Sequence, residues 1–444
     1  MASAKLSKRV STALLNALAS GVVPRLGLDR IAVGRESEVG ALGQDLSNAA
    51  DGGASFRFVV GRYGSGKSFL LQLLRNQAME QGFIVADADL SPERRLAGGN
   101  GFSVATYREL MRNLATKIRP DGGALAPLLE RWIAGIQSQV AEESNLKPND
   151  EGFDDRVEAK IRAVVKDVEE LVNGFEFASV LTAYWNGYRN DDSDLQESAL
   201  RWLRGEFSTK TEARAALGVR AIVSDDDWFD YVKLFARFAA DIGYQGMVVF
   251  LDEAVHLYKI TNAVSRQNNY DKLLAMFNDT MQGRVGHLSI LIGGTPQLIE
   301  DSRRGLCSDP AWQRRTAGSR FVKAGLQDMT GPVMRLEPLS ENEIRTLLQR
   351  LVAIHATHYN YKPAFKASEL EEFLSAIAGR LGADVLLTPG EIVREFIAVL
   401  NALHQNPKLS LSQLVRGDQP AATKKATSRK SQADEENQYA EFTL

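Results

Sequence analysis

Residues 61–68 have the sequence GRYGSGKS, which fits the phosphate-binding pattern G-x-x-x-x-G-K-[ST]. The short apolar run at residues 56–60 (FRFVV) predicts a buried strand before it, and residues 68–80 have the pattern of a helix after it. The glycines let the backbone curl until its N–H groups face phosphates, at the positive end of that helix. A chance glycine-rich turn would not need this strand–loop–helix context, so we interpret the stretch as a P-loop.

The polar groups of this loop have predicted roles in holding a nucleotide. The ammonium group of Lys67 reaches the β- and γ-phosphates, and the hydroxyl of Ser68 binds Mg²⁺. We therefore expect ATP and Mg²⁺ as the bound ligands. The residues predicted to contact the nucleotide here are Gly61, Tyr63, Gly64, Ser65, Gly66, Lys67, Ser68 and Phe69.

A second element combines a buried strand with two acidic residues. Residues 247–251 (MVVFL) are all apolar, and Asp252 and Glu253 follow them directly. Ligands of open α/β sheets bind at the carboxyl ends of the strands. We expect Asp252 to hold the water shell of Mg²⁺ and Glu253 to orient or deprotonate the attacking water, as the catalytic base. The alternative is a strand that ends in solvated acids, which the upstream P-loop makes the weaker interpretation.

A third element predicts a sensor of the terminal phosphate. Residues 288–292 (LSILI) have the pattern of another strand, and Gly293-Gly294-Thr295 follows it. A polar residue just past a neighbouring strand can hydrogen-bond the γ-phosphate or its attacking water, so Thr295 is the candidate. An ordinary loop after a strand is the alternative.

The order of these elements predicts an α/β fold with a parallel central sheet, because strands alternate with helices along the chain. Residues 83–87 and 333–336 are expected to supply two further strands. The predicted domains are an N-terminal helix and loop at residues 1–30, a nucleotide-binding domain at 31–336 with a helical insertion at about 105–240, a helical lid at 337–412, and a disordered tail at 413–444.

Composition excludes several other classes of protein. The 444 residues carry a formal net charge of −3, which gives no sign of a nucleic-acid binder. Cys307 is the single cysteine, so no disulfide can form within the chain. No apolar run approaches the roughly 18 residues that span a bilayer. We expect a cytoplasmic protein with no membrane partner.

Together these motifs resemble the AAA+ superfamily of ATPases. Val33-Gly34-Arg35 begins the sequence VGRE, which is similar to the box that lines the adenine pocket in initiator-type members. The resemblance implies a homo-oligomer that hydrolyses ATP at subunit boundaries, where a neighbour donates an arginine. The candidates for this arginine are Arg303, Arg304, Arg314, Arg315 and Arg320, of which we favour Arg304 and Arg315. The alternative for any one of them is a side chain that is simply solvated.

Several longer stretches carry a more specific resemblance. They are residues 199–204 (ALRWLR), 209–220 (TKTEARAALGVR), 252–260 (DEAVHLYKI) and 293–306 (GGTPQLIEDSRRGL), with GPVMRLEPL and LTPGEIVREF further on. From about residue 8 to residue 410, the chain resembles the ATP-binding proteins of BREX phage-defence systems. The resemblance implies a component of a bacterial defence system that works beside a methyltransferase and other ATPase partners. It leaves open whether the chain contacts DNA, directly or through those partners.

One position departs from the pattern of that family. The family is expected to have an arginine, the second sensor of the lid, after Thr388-Pro389, and this chain has Gly390. Arg394 lies one helical turn further on and is the predicted substitute. The favoured function is ATP hydrolysis that remodels or controls a defence complex acting on DNA. The alternative is a nucleotide-dependent switch or scaffold with little turnover. Glu253 favours the first function, and Gly390 favours the second.

Overall fold

A parallel sheet organises the larger of the two units into which this chain divides. The computed structural model describes residues 6–148, 150–169, 171–317, 329–362, 367–381 and 388–416. The strands in these ranges are β1 (Ala54–Val60), β2 (Ile84–Asp89), β3 (Met247–Asp252), β4 (Leu288–Gly294) and β5 (Val333–Arg335). They form one sheet in the order β2-β3-β4-β1-β5, and every neighbouring pair is parallel. The prediction of an α/β fold with a parallel central sheet is confirmed.

Both faces of this sheet are covered, which explains why its strands are apolar runs rather than alternating patterns. Successive residues of a strand point to opposite faces. In β3, Met247, Val249 and Leu251 pack on one face, whereas Val248 and Phe250 pack on the other. All five side chains are at most 3% exposed. The continuous run therefore predicts a strand that has no solvent-facing side.

Four helices come from the first 80 residues, and two of them cover the face that contains Val248. The leucines of the third and fourth helices, among them Leu42, Leu46, Leu70 and Leu74, are buried there. The four helices are α1 (Lys8–Ala19), α2 (Leu28–Ile31), α3 (Glu36–Ala50) and α4 (Lys67–Glu80). The N-terminal helix and loop at residues 1–30 stay a prediction as a domain, and α1 and most of α2 lie within that range.

The described chain between β2 and β3 is mainly helical, as predicted for residues 105–240, although its status as an insertion stays a prediction. Trp202 and Trp228 lie in its core and are each 1% exposed. Their indole N–H groups donate to the carbonyl oxygens of Ala221 and Leu96. The helices are α5 (Phe102–Arg112), α6 (Leu125–Ser144), α7 (Phe153–Glu169), α8 (Gly174–Arg189), α9 (Ser193–Leu203), α10 (Lys210–Leu217) and α11 (Trp228–Asp241).

Shorter elements follow β3 and β4 and return to the sheet face that contains Met247. Trp312 is fully buried, and its ring lies edge-on to Phe58 and to Phe277, at 5.6 Å between ring centroids in both cases. These aromatic contacts fix the segment after β4 against the sheet. The elements are α12 (Val255–Lys259), α13 (Ala263–Met281), α14 (Pro296–Glu300), a 3₁₀ helix (Leu306–Ser308) and α15 (Pro310–Thr316).

The last part of the chain is helical, as predicted for the lid, whose role stays a prediction. Its helices are α16 (Glu341–Tyr359), α17 (Ala367–Leu381), α18 (Pro389–Gln405) and α19 (Leu411–Arg416). None of the helices in the described ranges combines the length and apolar character that a bilayer crossing needs. Residues 413–416, predicted as the start of the tail, belong to α19, and residues 417–444 lie outside the described residues.

The division into two units runs through the C-terminal helices. The first unit comprises Met1–Pro363 and Leu387–Ile397, and the second comprises Ala364–Leu386 and Ala398–Leu444. The second unit has a small core of its own, in which Leu370, Phe373 and Leu411 are at most 3% exposed. The sheet, the P-loop and the first turns of α18 all belong to the first unit.

Candidate functional site

The P-loop connects the end of β1 to the start of α4. Gly61 lies at its beginning, where its N–H donates to the carbonyl of Gly294 at 3.2 Å. Gly64 and Gly66 have φ angles of +75° and +90°, a left-handed conformation that side chains with a Cβ rarely adopt. A Cβ on Gly66 would meet nothing within 4 Å, so the loop is open at that point. The backbone therefore has the curl that a phosphate-binding loop requires.

Lys67 is the first residue of α4, and its side chain folds back over the loop. Its Nζ donates to the carbonyl oxygens of Gly61 and Arg62, both at 3.0 Å. Partial burial lowers the pKa of this ammonium group, while the negative charges of Asp252 and Glu253 oppose that shift. The lysine is thus placed inside the loop, with a positive charge beside the two acids that follow β3.

The carboxylate of Asp252 joins the P-loop to the end of β3. Its Oδ2 accepts a hydrogen bond from Ser68 Oγ at 2.6 Å, and its Oδ1 accepts one from the backbone N–H of Glu253 at 2.8 Å. A hydroxyl and a carboxylate at this separation are hard oxygen donors of the type that Mg²⁺ prefers. The pair therefore fits the predicted role of Ser68 and Asp252 at a metal ion.

Glu253 has a backbone conformation that is uncommon for a residue with a side chain. Its φ angle is +56°, and non-glycine residues adopt this region uncommonly. Strain of this kind concentrates at functional sites, where the surrounding structure enforces it. Here the bond from the Glu253 N–H to Asp252 helps to hold the turn, and the Glu253 side chain is exposed. A carboxylate that is exposed beside a P-loop is accessible to water, as a catalytic base must be.

A cavity of about 480 Å³ brings most of the predicted nucleotide-binding residues together. Its apolar wall comes from the N-terminal segment, with Leu18, Val22 and Ile31, and from Leu347 of α16. An apolar wall opposite a phosphate loop suits a base and its triphosphate. The predicted residues that line it are Val33, Arg35, Tyr63, Gly64, Ser65, Gly66, Lys67, Ser68, Phe69, Glu253 and Arg394. Those that do not line it are Gly34, Gly61, Asp252, Thr295, Arg304 and Arg315.

The VGRE box lies beside the P-loop, although Arg35 is bound to protein groups. Arg35 is 6% exposed, and its guanidinium group donates to Glu38, to the Ser65 carbonyl and to the Glu337 carbonyl. Gly34 has a φ angle of +67°. Val33 is buried and lines the cavity. Of the three box residues, Val33 has the environment best suited to an adenine ring.

Thr295 lies one residue beyond β4, next to the strand that leads into the P-loop. β1 and β4 are paired so that Val60 faces Gly294. The Thr295 hydroxyl is buried and has no hydrogen-bond partner among the described residues. A buried hydroxyl without a partner is costly in a protein of fixed conformation, so a ligand atom would stabilise it. This is consistent with the predicted sensor role.

The two favoured arginine-finger candidates differ in how they are held. Arg315 is half-buried and makes three bonds, two to Asn278 Oδ1 at 2.9 and 3.1 Å and one to the Ala311 carbonyl at 2.9 Å. Arg304 is exposed, and its bonds to the carbonyls of Tyr258 and Ile260 are longer, at 3.3 and 3.4 Å. An exposed and weakly held guanidinium group can reach a neighbouring subunit more easily.

The structure describes two of the three other candidate arginines. Arg303 and Arg314 are exposed, whereas Arg320 lies outside the described residues. Exposure alone does not distinguish Arg303 or Arg314 from a solvated arginine. Arg304 is therefore the best placed of the two favoured residues.

The start of α18 closes the cavity above the P-loop. A Cβ on Gly64 would lie 2.1 Å from Thr388 Cγ2, so the loop and the residue before α18 are in close contact. Gly390 and Arg394 both line the cavity. Arg394 Nη2 pairs with Glu395 at 3.1 Å, and its side chain is about half exposed, so it can turn towards a ligand. This position fits the predicted substitute for the second sensor.

Asp89 is a residue that the sequence analysis missed. It ends β2 and lies opposite Asp252 in the parallel register. Partial burial raises the pKa of Asp89, and the negative charges of Asp252, Asp87 and Glu253 raise it further, while Arg94 opposes them. A third carboxylate therefore belongs to the same edge of the sheet. The signal in the sequence was its place at the end of the strand at residues 83–87, which was predicted to end two residues too early.

Two comparisons with known proteins bear on this site. A family model described as "BREX system ATP-binding protein BrxC/D" matches residues 6–419. A search of curated proteins finds no match. The matched range contains the P-loop, the acids after β3 and the cavity, and it includes every helix described above.

Proposed function

Because this chain belongs to the BREX system ATP-binding protein BrxC/D family, we propose that it hydrolyses ATP to remodel or control a phage-defence complex that acts on DNA. Family membership implies a phage-defence component that binds ATP. The observation that carries the further step to hydrolysis is Glu253, an exposed carboxylate on the wall of the P-loop cavity. A protein that only stored a nucleotide would not need a base at that position.

The residues divide the chemistry of hydrolysis among them. Backbone N–H groups at Gly64 and Gly66 and the ammonium of Lys67 would stabilise the triphosphate and the negative charge that shifts towards the leaving group during bond cleavage. Ser68 and Asp252 would hold Mg²⁺, which would neutralise part of the negative charge of the triphosphate. Glu253 accepts a proton from the attacking water. The water oxygen bonds to the γ-phosphorus as the bond to the β,γ-bridging oxygen breaks, which yields ADP and phosphate.

Further residues, one of them from a neighbouring subunit, would assist the same reaction. Thr295 would donate its hydroxyl to the γ-phosphate or to the attacking water, and what supports this role is that the buried hydroxyl has no hydrogen-bond partner among the described residues. Arg394, which lines the cavity, would contact the phosphates as the second sensor. A homo-oligomer would add Arg304 from an adjacent subunit to the same reaction.

The test is a steady-state assay of phosphate release with ATP and Mg²⁺, with and without DNA, together with the measured oligomeric mass. Turnover by the wild-type chain, and none by Lys67→Ala, is the expected result, because that change removes the cation that neutralises the phosphates. Phosphate release that continues in Lys67→Ala would exclude this site as its source.

A nucleotide-dependent switch with little turnover is the second candidate function. The observation that favours it is the close approach of Gly64 to Thr388, which connects the P-loop to the start of α18. A loop that changes shape with its ligand would then move or fix α18 directly. ATP binding that changes the oligomeric mass, with no measurable phosphate release, would favour the switch over the ATPase.

A further inference from the structure

Arg35 makes an unusual set of contacts for a residue on the wall of a nucleotide cavity. Its Nη2 donates to the carbonyl of Ser65 in the P-loop at 3.0 Å and to the carbonyl of Glu337 at 2.9 Å. Its Nη1 pairs with Glu38 Oε1 at 3.1 Å. The side chains of Arg35 and Glu38 are 7% and 8% exposed. The guanidinium group is therefore committed to three protein partners.

These partners come from three separate parts of the chain. Ser65 belongs to the P-loop, Glu38 to α3, and Glu337 to the segment between β5 and α16. A buried cation is stable only when hydrogen bonds compensate for its lost hydration, and here they do. The planar fork of arginine can join two carbonyls and a carboxylate at fixed angles, which the single ammonium group of a lysine cannot reproduce.

The N-terminal segment, residues 11–34, contacts α16 at several further points along that helix. A Cβ on Gly34 would lie 2.2 Å from Glu343 Oε1, so the box packs directly on the first turn of α16. Arg350 donates to the carbonyl of Ala32, and Ser11 Oγ lies 2.7 Å from His358 Nδ1. The N-terminal segment therefore contacts α16 at the beginning, the middle and the end of the helix.

We propose that Arg35 is a positioning residue that couples the P-loop to α16, and that it acts without contacting the nucleotide. The coupling rests on the proposed binding of ATP at this site. By engaging the Ser65 carbonyl, Arg35 keeps a partial negative charge from turning towards the phosphates. Its bond to the Glu337 carbonyl connects the conformation of the P-loop to the segment before α16, so ATP binding stabilises that helix.

The test compares Arg35→Lys and Arg35→Gln with Arg57→Lys in the full-length chain. Arg57 is a matched control, because it is a partly buried arginine, with its side chain 11% exposed, that pairs with an acid, Asp45, and donates to a carbonyl, that of Gly331. ATP affinity is measured with a fluorescent analogue, and hydrogen exchange of residues 341–359 is measured with and without ATP. Thermal melting reports the stability of each variant.

ATP should slow exchange in α16 of the wild-type protein and of Arg57→Lys. Arg35→Lys should bind ATP about tenfold more weakly, the effect of one lost charge-assisted hydrogen bond, and at saturating ATP it should show no slowing in α16. Arg35→Gln should behave in the same way. If Arg35 touched the nucleotide as a charge, Arg35→Lys would retain much of the affinity that Arg35→Gln loses, and that difference would overturn the proposal.

Wild-type exchange alone is also decisive. ATP binding that leaves α16 exchange unchanged in the wild-type protein would overturn the proposal, whether or not the variants fold. Phosphate release is measured in the same samples. An absence of turnover together with an ATP-dependent change in α16 would contradict hydrolysis but not the coupling through Arg35.

Discussion

Ser68 Oγ and Asp252 Oδ2 are 2.6 Å apart, which joins the first turn of α4 to the carboxyl end of β3. The two residues are far apart in the sequence, and the parallel sheet alone brings them together. In the usual arrangement of P-loop proteins the hydroxyl binds Mg²⁺ and the acid lies close to the same ion. The contact therefore marks the place where we expect the metal.

Asp252→Asn should weaken the dependence of ATP binding on Mg²⁺. The amide keeps the size of the side chain but loses the negative charge that attracts the ion. ATP affinity is measured at increasing Mg²⁺ concentrations and in excess chelator. The variant should resemble the wild-type protein in chelator and differ from it as Mg²⁺ rises. Equal affinity at every Mg²⁺ concentration would show that Asp252 has no part in holding the ion.

Glu253→Gln should retain ATP and lose turnover. The amide cannot accept a proton from water, and the loss of a general base lowers rates by roughly 10²- to 10⁴-fold. The measurements are ATP affinity and steady-state phosphate release. Glu300→Gln is a suitable control, because Glu300 is an exposed acid beyond β4 that pairs with Arg335 and does not line the cavity. A variant that hydrolyses ATP at the wild-type rate would remove Glu253 from the mechanism.

Arg304→Ala should lower turnover by about a thousandfold if Arg304 is the finger supplied by a neighbouring subunit. Mixing it with Lys67→Ala should restore part of the activity, because some mixed boundaries combine an intact site with an intact arginine. The measurement is phosphate release across mixing ratios at fixed total protein.

Arg315→Ala provides the comparison for this experiment. The three bonds of Arg315 hold its side chain within its own chain, so it should not reach a neighbouring site. We therefore expect that mixing Arg315→Ala with Lys67→Ala restores no phosphate release. Recovery with Arg315→Ala but not with Arg304→Ala would reverse the assignment.

Glu343→Gln should destabilise the chain at neutral pH by less than about 1 kcal/mol, because the amide oxygen can still accept the bonds from Ser340 but lacks the negative charge that strengthens them. Hydrogen bonds from the Ser340 backbone and hydroxyl lower the pKa of Glu343, with a smaller contribution from Arg35. Its folded-state pKa is thus below its unfolded value. The stabilisation is present above the unfolded pKa and is lost as the pH falls through the lowered one.

Thermal melting at neutral and acidic pH measures this effect. The difference between Glu343→Gln and the wild-type protein should shrink as the pH falls. Glu341→Gln is the matched control, because Glu341 lies in the same first turn outside the capping box. An equal loss of stability in both variants would attribute the effect to charge at the helix end.

The strands and the P-loop were predictable because their physics is local. A strand buried on both faces must be an apolar run, and a loop that curls around phosphates must place glycines and a lysine at fixed spacing. Residues 247–251 and 61–68 satisfied these rules, and β3 and the P-loop lie there. The helix expected at residues 68–80 is α4, which begins one residue earlier, at Lys67.

Other features depend on contacts between distant parts of the chain. The nucleotide contact predicted for Arg35 stays a prediction, and no local pattern in the sequence shows the bonds of its side chain to Ser65 and Glu337. The two bonds of Arg315 to Asn278 likewise depend on where α13 and α15 meet. The left-handed backbone of Glu253 has no signature in the residue type, because glutamate has no preference for that conformation.

The position of the helices α5–α11 has a consequence for how the chain folds. Ile84 of β2 pairs directly with Met247 of β3, yet this entire helical stretch lies between them in the sequence. Contacts across such long separations close slowly, because the intervening chain loses entropy before the pairing stabilises it. Helices that form from nearby residues shorten that search. We therefore expect this stretch to become ordered first, and the β2–β3 pairing, with Asp252 and its metal site, to form late in folding.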